Sequence, residues 1–232
     1  MLDLIVLDDA GELAQAAAAQ VADAIRRATR RAGHATFAAS GGRSPAAMFD
    51  ALATMTVDWT AADVLQVDER IAPDGDPDRN WGSLVEHLLD PAGVPVSRRH
   101  PMAVGTGDGD QAARSYNSLL SRVAPGGIDV VHLGLGDDGH TASLVAGDAA
   151  LEVTDRAVAV TTAYRGRRRV TLTLPALAAA GRVVWLVVGA EKASALRSLV
   201  AGDRAIPAGR VPQDRAVVCC DPAAAALLLP DK

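Results

Sequence analysis

Ile128-Asp129-Val130-Val131-His132-Leu133-Gly134-Leu135-Gly136-Asp137-Asp138-Gly139-His140-Thr141 carries most of the architectural information in this chain. Its first half, Ile128–Leu133, is β-branched and apolar, as suits a strand covered on both faces. Its second half opens into a polar turn in which Gly134, Gly136 and Gly139 leave the backbone free to take positive φ. In open parallel sheets, ligands bind beyond the carboxyl ends of strands of this kind. His140 therefore stands at the exposed end of a buried strand, two residues after an aspartate.

The same alternation continues outward in both directions. Strands are expected at Leu4–Leu7, His34–Ala39, Val64–Val67, Ala157–Thr161, Val170–Leu174, Val183–Val188 and Ala216–Cys220. Helical stretches lie between them at Glu12–Arg31, from about Pro45, at Trp81–Leu89, Gln111–Val123, Lys192–Val200 and Ala223–Leu229. Leu13, Ala17, Val21, Ala24 and Ala28 make one stripe of the first helix, and its arginines fall largely off that stripe as a solvated face. Asp74–Arg79 reads as loop. The pattern predicts an α/β fold: a Rossmann-like, mostly parallel sheet with helices on both faces, in a single domain over 1–232.

Composition sets the outer limits. The 232 residues are 49% hydrophobic and 22% charged, which excludes a disordered chain, a coiled coil and a collagen-like fibre. Aromatic residues are only 3%, so the core is expected from Ala, Val, Leu and Ile. A net charge of −5 argues against a general binder of nucleic acid or of an anionic membrane, while leaving room for a locally basic pocket. The longest unbroken apolar run, Ala223–Leu229, falls far short of the ~20 residues that span a bilayer. The acidic N-terminus is unlike a signal peptide, and the two cysteines, Cys219 and Cys220, are adjacent and cannot staple the fold. The expectation is a cytoplasmic protein, a monomer or weak homo-oligomer.

Three polar clusters follow strands and should meet in one crevice. Gly41-Gly42-Arg43-Ser44 lies between a strand and a helix, where backbone N–H groups and the helix dipole favour a phosphate or carboxylate; the alternative is a plain turn with a serine cap. Asp68-Glu69-Arg70 ends the third strand as either an ion-pair network or a catalytic group. Asp138 is close enough to His140 to orient its imidazole, so His140 has the best setting for acid–base work. His34 and His132 lie within or beside strands and read as packed; His87 and His100 lack acidic, glycine-rich surroundings. Arg165, Arg167, Arg168 and Arg169 are too many for one ligand, so most must be solvated or paired, and Lys192 follows Gly189. Gly134–Gly139 also spells G-x-G-x-x-G, but Gly147 interrupts the helix a dinucleotide turn needs, and Asp137 and Asp138 would face a pyrophosphate with like charge. His140, Asp137 and Asp138 lack a suitably spaced second histidine for a metal site, and no G-x-S-x-G turn supports a serine esterase.

Taken together, Ala39-Ser40-Gly41-Gly42-Arg43-Ser44-Pro45, Asp68-Glu69-Arg70 with Asn80, Leu133–Leu144, Arg169–Pro175 and Gly189-x-x-Lys192 resemble the glucosamine-6-phosphate isomerase/6-phosphogluconolactonase family over nearly the whole chain. The wording is similar to its lactonase branch. The isomerase branch places a Glu five residues after the histidine, where this chain has Val145. The resemblance implies a sugar-phosphate lactone as ligand, no cofactor and no metal. It implies His140, Asp138 and Asp68 as catalytic residues, and Gly41, Gly42, Arg43, Ser44, Arg70, Asn80, Arg169 and Lys192 as substrate-binding residues. An oxyanion would be met by backbone N–H groups near Gly41 or Gly139, or by an arginine.

Overall fold

The β-branched and alanine-rich runs pair as strands in the computed structural model, which describes residues 2–42 and 45–228. The strands are β1 (Asp3–Val6), β2 (Ala35–Ala39), β3 (Ala62–Gln66), β4 (Asp68–Arg70), β5 (Arg99–His100), β6 (Val130–Gly134), β7 (Val158–Val160), β8 (Arg169–Leu172), β9 (Arg182–Val187) and β10 (Ala216–Cys220). The helices are α1 (Ala10–Ala32), α2 (Ala46–Ala53), α3 (Asn80–Leu84), α4 (Gly109–Val123), α5 (Leu174–Ala178) and α6 (Ala193–Val200). Seven strands form one sheet in the order β1-β10-β9-β6-β2-β3-β5, parallel at each junction.

Successive residues of a strand point to opposite faces, and both faces here are apolar. Val130 packs with Phe37, Val64 and Val184 under α1 (Leu13, Val21, Ile25) and α2 (Met48, Phe49, Leu52). Val131 and Leu133 pack on the other side with Val183, Trp185 and Val218, beneath α4 (Tyr116, Leu120) and α6 (Leu196, Leu199). Helix α1 runs slightly beyond the stretch its stripe suggests. Asp9 caps it by accepting from Glu12 N–H at 2.8 Å, and Gly33, at φ 74°, closes it with an N–H bond to Thr29 O at 2.7 Å.

Asp68-Glu69-Arg70 is not the end of the third strand. It forms β4, in a separate antiparallel sheet of order β4-β8-β7. Val67 is the pivot: its N–H bonds to Ala39 O on β2 at 3.0 Å, while its carbonyl accepts from Leu172 N–H at 2.8 Å. One residue thus faces a partner in each sheet, and the chain bends from one into the other. The expected strand Val170–Leu174 stops at Leu172, because α5 begins at Leu174 with Pro175 in its first turn. The stretch 222–228 forms turns, not the expected helix. Asp221 accepts from Ala224 N–H at 2.8 Å, and so short a segment does not sustain a helix of its own.

From β2 the chain builds outward to β3 and β5; from β6 it builds the other way, to β9 and β10. The order therefore diverges between the adjacent strands β2 and β6. Their carboxyl ends carry Gly41-Gly42 and the Gly134–His140 turn, so the crevice expected at such a divergence lies between the two glycine-rich segments.

Candidate active site

The turn after β6 is closed by two backbone bonds, Gly136 N–H to His140 O at 2.8 Å and Gly139 N–H to Gly136 O at 3.1 Å. Gly139 takes φ 80°. This loop returns His140 onto Asp138: Oδ1 accepts from the His140 backbone N–H at 3.0 Å and lies 2.5 Å from Nδ1. A Cβ at Gly136 would overlap both the imidazole and the Asp138 carboxylate, so glycine is what makes room for the pair. Burial pushes the Asp138 carboxyl up, but the backbone and ring of His140 and the Tyr164 hydroxyl outweigh it, and the group lies below its ordinary value. An ionised Asp138 requires the proton on Nδ1, which leaves the Nε2 lone pair as the basic site.

Tyr164 completes this group, and no local signal in the sequence marked it. Its hydroxyl donates to Asp138 Oδ2 at 3.3 Å, and its ring meets the His140 ring edge-on at 5.5 Å. A tight hairpin between β7 and β8 places it there. Tyr164 and Arg167 exchange N–H···O bonds at 3.0 and 3.3 Å around Arg165 (φ 50°) and Gly166 (φ 81°), a turn with both central residues left-handed.

The same hairpin sorts the arginine run. Arg167 pairs with Asp76 at 3.1 Å and Asp78 at 3.4 Å, and Arg168 donates to Thr161 O at 3.4 Å. Arg165 is two-thirds exposed at the tip, 4.0 Å from Asp137. Arg169 turns inward, 11% exposed, with Nη1 3.5 Å from Ser143 Oγ and 4.0 Å from Asp68 Oδ2. Its buried Nε has no hydrogen-bond partner among the described residues. Burial pulls its pKa below the ordinary arginine value, against the opposing pull of Asp68.

On β4 the three polar residues divide. Asp68 accepts from the Ser143 hydroxyl, and from Asn80 Nδ2 at 3.3 Å. Glu69 is fully buried and accepts from Asn80 N–H at 2.8 Å and Trp81 N–H at 2.9 Å, so it anchors the start of α3. Arg70 donates to Asn80 Oδ1 at 2.8 Å and to the Asp78 carbonyl. Asn80 thereby spends both ends of its amide on Asp68 and Arg70. It also packs so closely under Gly41 that a Cβ there would overlap it.

A cavity of ≈ 300 Å³ opens over these strand ends. Gly41, Gly42, Asp68, Arg70, Asn80, His140, Arg169 and Lys192 all line it, as do Ser40, His132, Asp137 and Arg165. Asp138 stands behind His140. Arg43 and Ser44 lie outside the described residues. The Lys192 ammonium pairs with no acidic group among the described residues. The Gly139 N–H is spent within its own turn, so it offers no donor to an oxyanion. Three of the other four histidines face carboxylates: His34 and His100 flank Asp63 at 2.7 and 2.9 Å, and His87 lies 2.9 Å from Asp50. Among the described residues no group of three or more His, Cys, Asp or Glu is arranged to hold a metal ion, and no helix is long and apolar enough to cross a membrane.

A Caulobacter vibrioides protein named 6-phosphogluconolactonase is 37% identical over 216 residues, 89% of this chain and 91% of that protein. A Synechocystis sp. protein of the same name is 37% identical over 183 residues, 76% of each chain. The solved 6-phosphogluconolactonase from Trypanosoma brucei superposes with a TM-score of 0.87 at 25% identity, covering 99% of both chains. The pattern described as glucosamine-6-phosphate isomerases/6-phosphogluconolactonase matches residues 8–219. With that match over most of its length, and with the strand-end turns of β2, β6 and β9 converging on one cavity, this chain belongs to the glucosamine-6-phosphate isomerase/6-phosphogluconolactonase family.

Proposed function

We propose that this chain hydrolyses 6-phospho-D-glucono-1,5-lactone to 6-phosphogluconate, with His140 as general base and with no cofactor or metal ion. The observation that carries the reading is the His140–Asp138 pair, set 2.5 Å apart at the edge of a cavity that Arg169 and Lys192 also line. A lactone carbonyl is already electrophilic, so one positioned base is enough to activate water. His140 Nε2 takes a proton from the water as its oxygen bonds to C1; the C1–ring oxygen bond then breaks, and the imidazolium returns that proton to the departing oxygen. Asp138 holds the ring and stabilises its charged form. Asp68, held by Ser143 and Asn80, is left to take a sugar hydroxyl.

The phosphate lies between the Gly41-Gly42 turn and Lys192, with Arg169 closing from the β8 side. Arg43 and Ser44 belong to the same binding loop in this reading. Arg70 and Asn80 act through position, since each is already bonded to the other and to backbone. With Gly139 spent, the oxyanion falls to Arg169 or to the Gly41 and Gly42 backbone. A monomer or weak homo-oligomer belongs to the same reading. Cys219 and Cys220 are buried and free, in keeping with the cytoplasm.

The family also contains aldose–ketose isomerases. Val145 cannot polarise the histidine as an acid would, which favours the lactonase. The test follows acid release from freshly made phosphogluconolactone against the spontaneous background, in parallel with ammonia release from glucosamine-6-phosphate. Acid release well above background with no ammonia is expected; ammonia release, or acid release at the background rate, would overturn the reading.

A further inference from the structure

His132 lies on β6, two residues before the strand ends, and is 2% exposed. Neither ring nitrogen has a hydrogen-bond partner among the described residues, and the same holds for the hydroxyl of Ser40. Both residues line the active-site cavity. Buried polar groups are nearly always satisfied, because leaving one unpaired forfeits its hydration with nothing in return. Two unpaired groups on residues that line one cavity therefore point to a polar group of the ligand.

Strand register says which group. The Ser40 N–H bonds to His132 O at 3.2 Å, so His132 abuts the end of β2, where Gly41-Gly42 begins. On its other side it is aligned with Val184 of β9, the strand that leads to Lys192. The imidazole thus lies beneath the gap between the glycine turn and the lysine segment. Phe49 of α2 meets its ring edge-on at 5.7 Å and holds its orientation. Burial lowers its pKa to about 4, against a weaker opposing pull from the Ser40 backbone carbonyl, which faces the ring without meeting hydrogen-bond geometry. At neutral pH the ring is then uncharged and keeps one N–H donor.

We propose that His132 and Ser40 read the substrate's phosphate from below, His132 through its ring N–H and Ser40 through its hydroxyl. This rests on the placement of the phosphate given above. The role is specificity: His132 transfers no proton and lies on the floor, apart from the His140–Asp138 pair.

The test has a binding arm and a kinetic arm. Inorganic phosphate is titrated into wild-type protein labelled with 15N-histidine, against chloride at equal ionic strength; the His132 ring signals are those missing from His132→Leu. They should shift saturably with phosphate alone. His132→Leu and Ser40→Ala should raise KM for the phosphorylated lactone, and His132→Leu should cut kcat/KM for it at least tenfold more than for plain gluconolactone. His132→Gln, which retains a donor, should recover part of that preference and serves if His132→Leu does not fold. Unmoved ring signals, or equal losses on both lactones, would overturn the proposal and leave a floor that binds only water. If wild-type protein hydrolyses neither lactone while the ring signals still answer to phosphate, the lactonase reading fails and the phosphate contact stands.

Discussion

Replacing Asp138 by Asn isolates the carboxylate's charge from its shape. In the protein Oδ1 accepts from the His140 backbone at 3.0 Å and faces Nδ1 at 2.5 Å, and an amide oxygen can occupy the same place. What disappears is the negative charge beside an imidazole that becomes positive during water attack. Two unit charges about 4 Å apart attract by ~4 kcal/mol at an effective dielectric of ~20. The Asp138 side chain is 43% exposed, so solvent screening removes part of this, leaving ~2 kcal/mol. That corresponds to a loss of about 30-fold in kcat, with KM little changed, because the charge matters most once the ring is protonated. Acid release from phosphogluconolactone in a pH-stat gives both constants. The pH profile adds a second reading. The folded carboxyl is held below its usual 3.8, so Asp138 keeps its charge at every pH above that value and its own ionisation adds no step to the wild-type profile from pH 5 upward. Wild-type turnover in Asp138→Asn, or an effect confined to KM, would refute the argument that this carboxylate stabilises the charged ring.

Three further outcomes are expected. His140→Ala should lower kcat by ~10²–10⁴-fold with a smaller change in KM, the loss typical of a missing general base; a folded variant with near-normal turnover removes His140 from the mechanism. Lys192→Ala should damage hydrolysis of the phosphorylated lactone far more than that of gluconolactone, by about 1.5–3 kcal/mol in kcat/KM for one charge-assisted hydrogen bond, and equal damage to both would make the lysine structural. Asp63→Asn should cost ~1–3 kcal/mol in urea unfolding at pH 7, since the 5%-exposed carboxylate faces His34, His100 and Arg98. Burial pushes its pKa up, but His100 and His34 hold it lower overall, so its stabilisation is present above 3.8 and is lost as pH falls through the lower folded value. The gap between wild type and variant should therefore narrow in acid, and a gap of the same size at pH 3 and pH 7 would contradict this.

What could be read from sequence was what short segments determine for themselves. The strand and turn from Ile128 to His140 declare both the sheet and the His140–Asp138 pair, because the apolar run, the glycines and the Asp138–His140 spacing are all local. The stripe of α1 is local in the same way. The bend at Val67 is not: it exists because Ala39 takes the residue's N–H and Leu172 takes its carbonyl, partners brought together only by the fold. The histidines show the same divide, since Asp63 lies 29 residues from His34 and 37 from His100. Tyr164 is 26 residues from the Asp138 it bonds. The arginine run makes the point sharpest. Arg165, Arg167 and Arg169 alternate with the period of a strand, which by itself would put all three on one face. The left-handed turn at Arg165 and Gly166 breaks that period, and Asp76 and Asp78 from the earlier loop claim Arg167. Arg169, the first residue of β8, is then the member of the run left buried against Asp68 with an unspent N–H, and that arrangement, invisible in the run itself, sets it apart from the surface charges beside it.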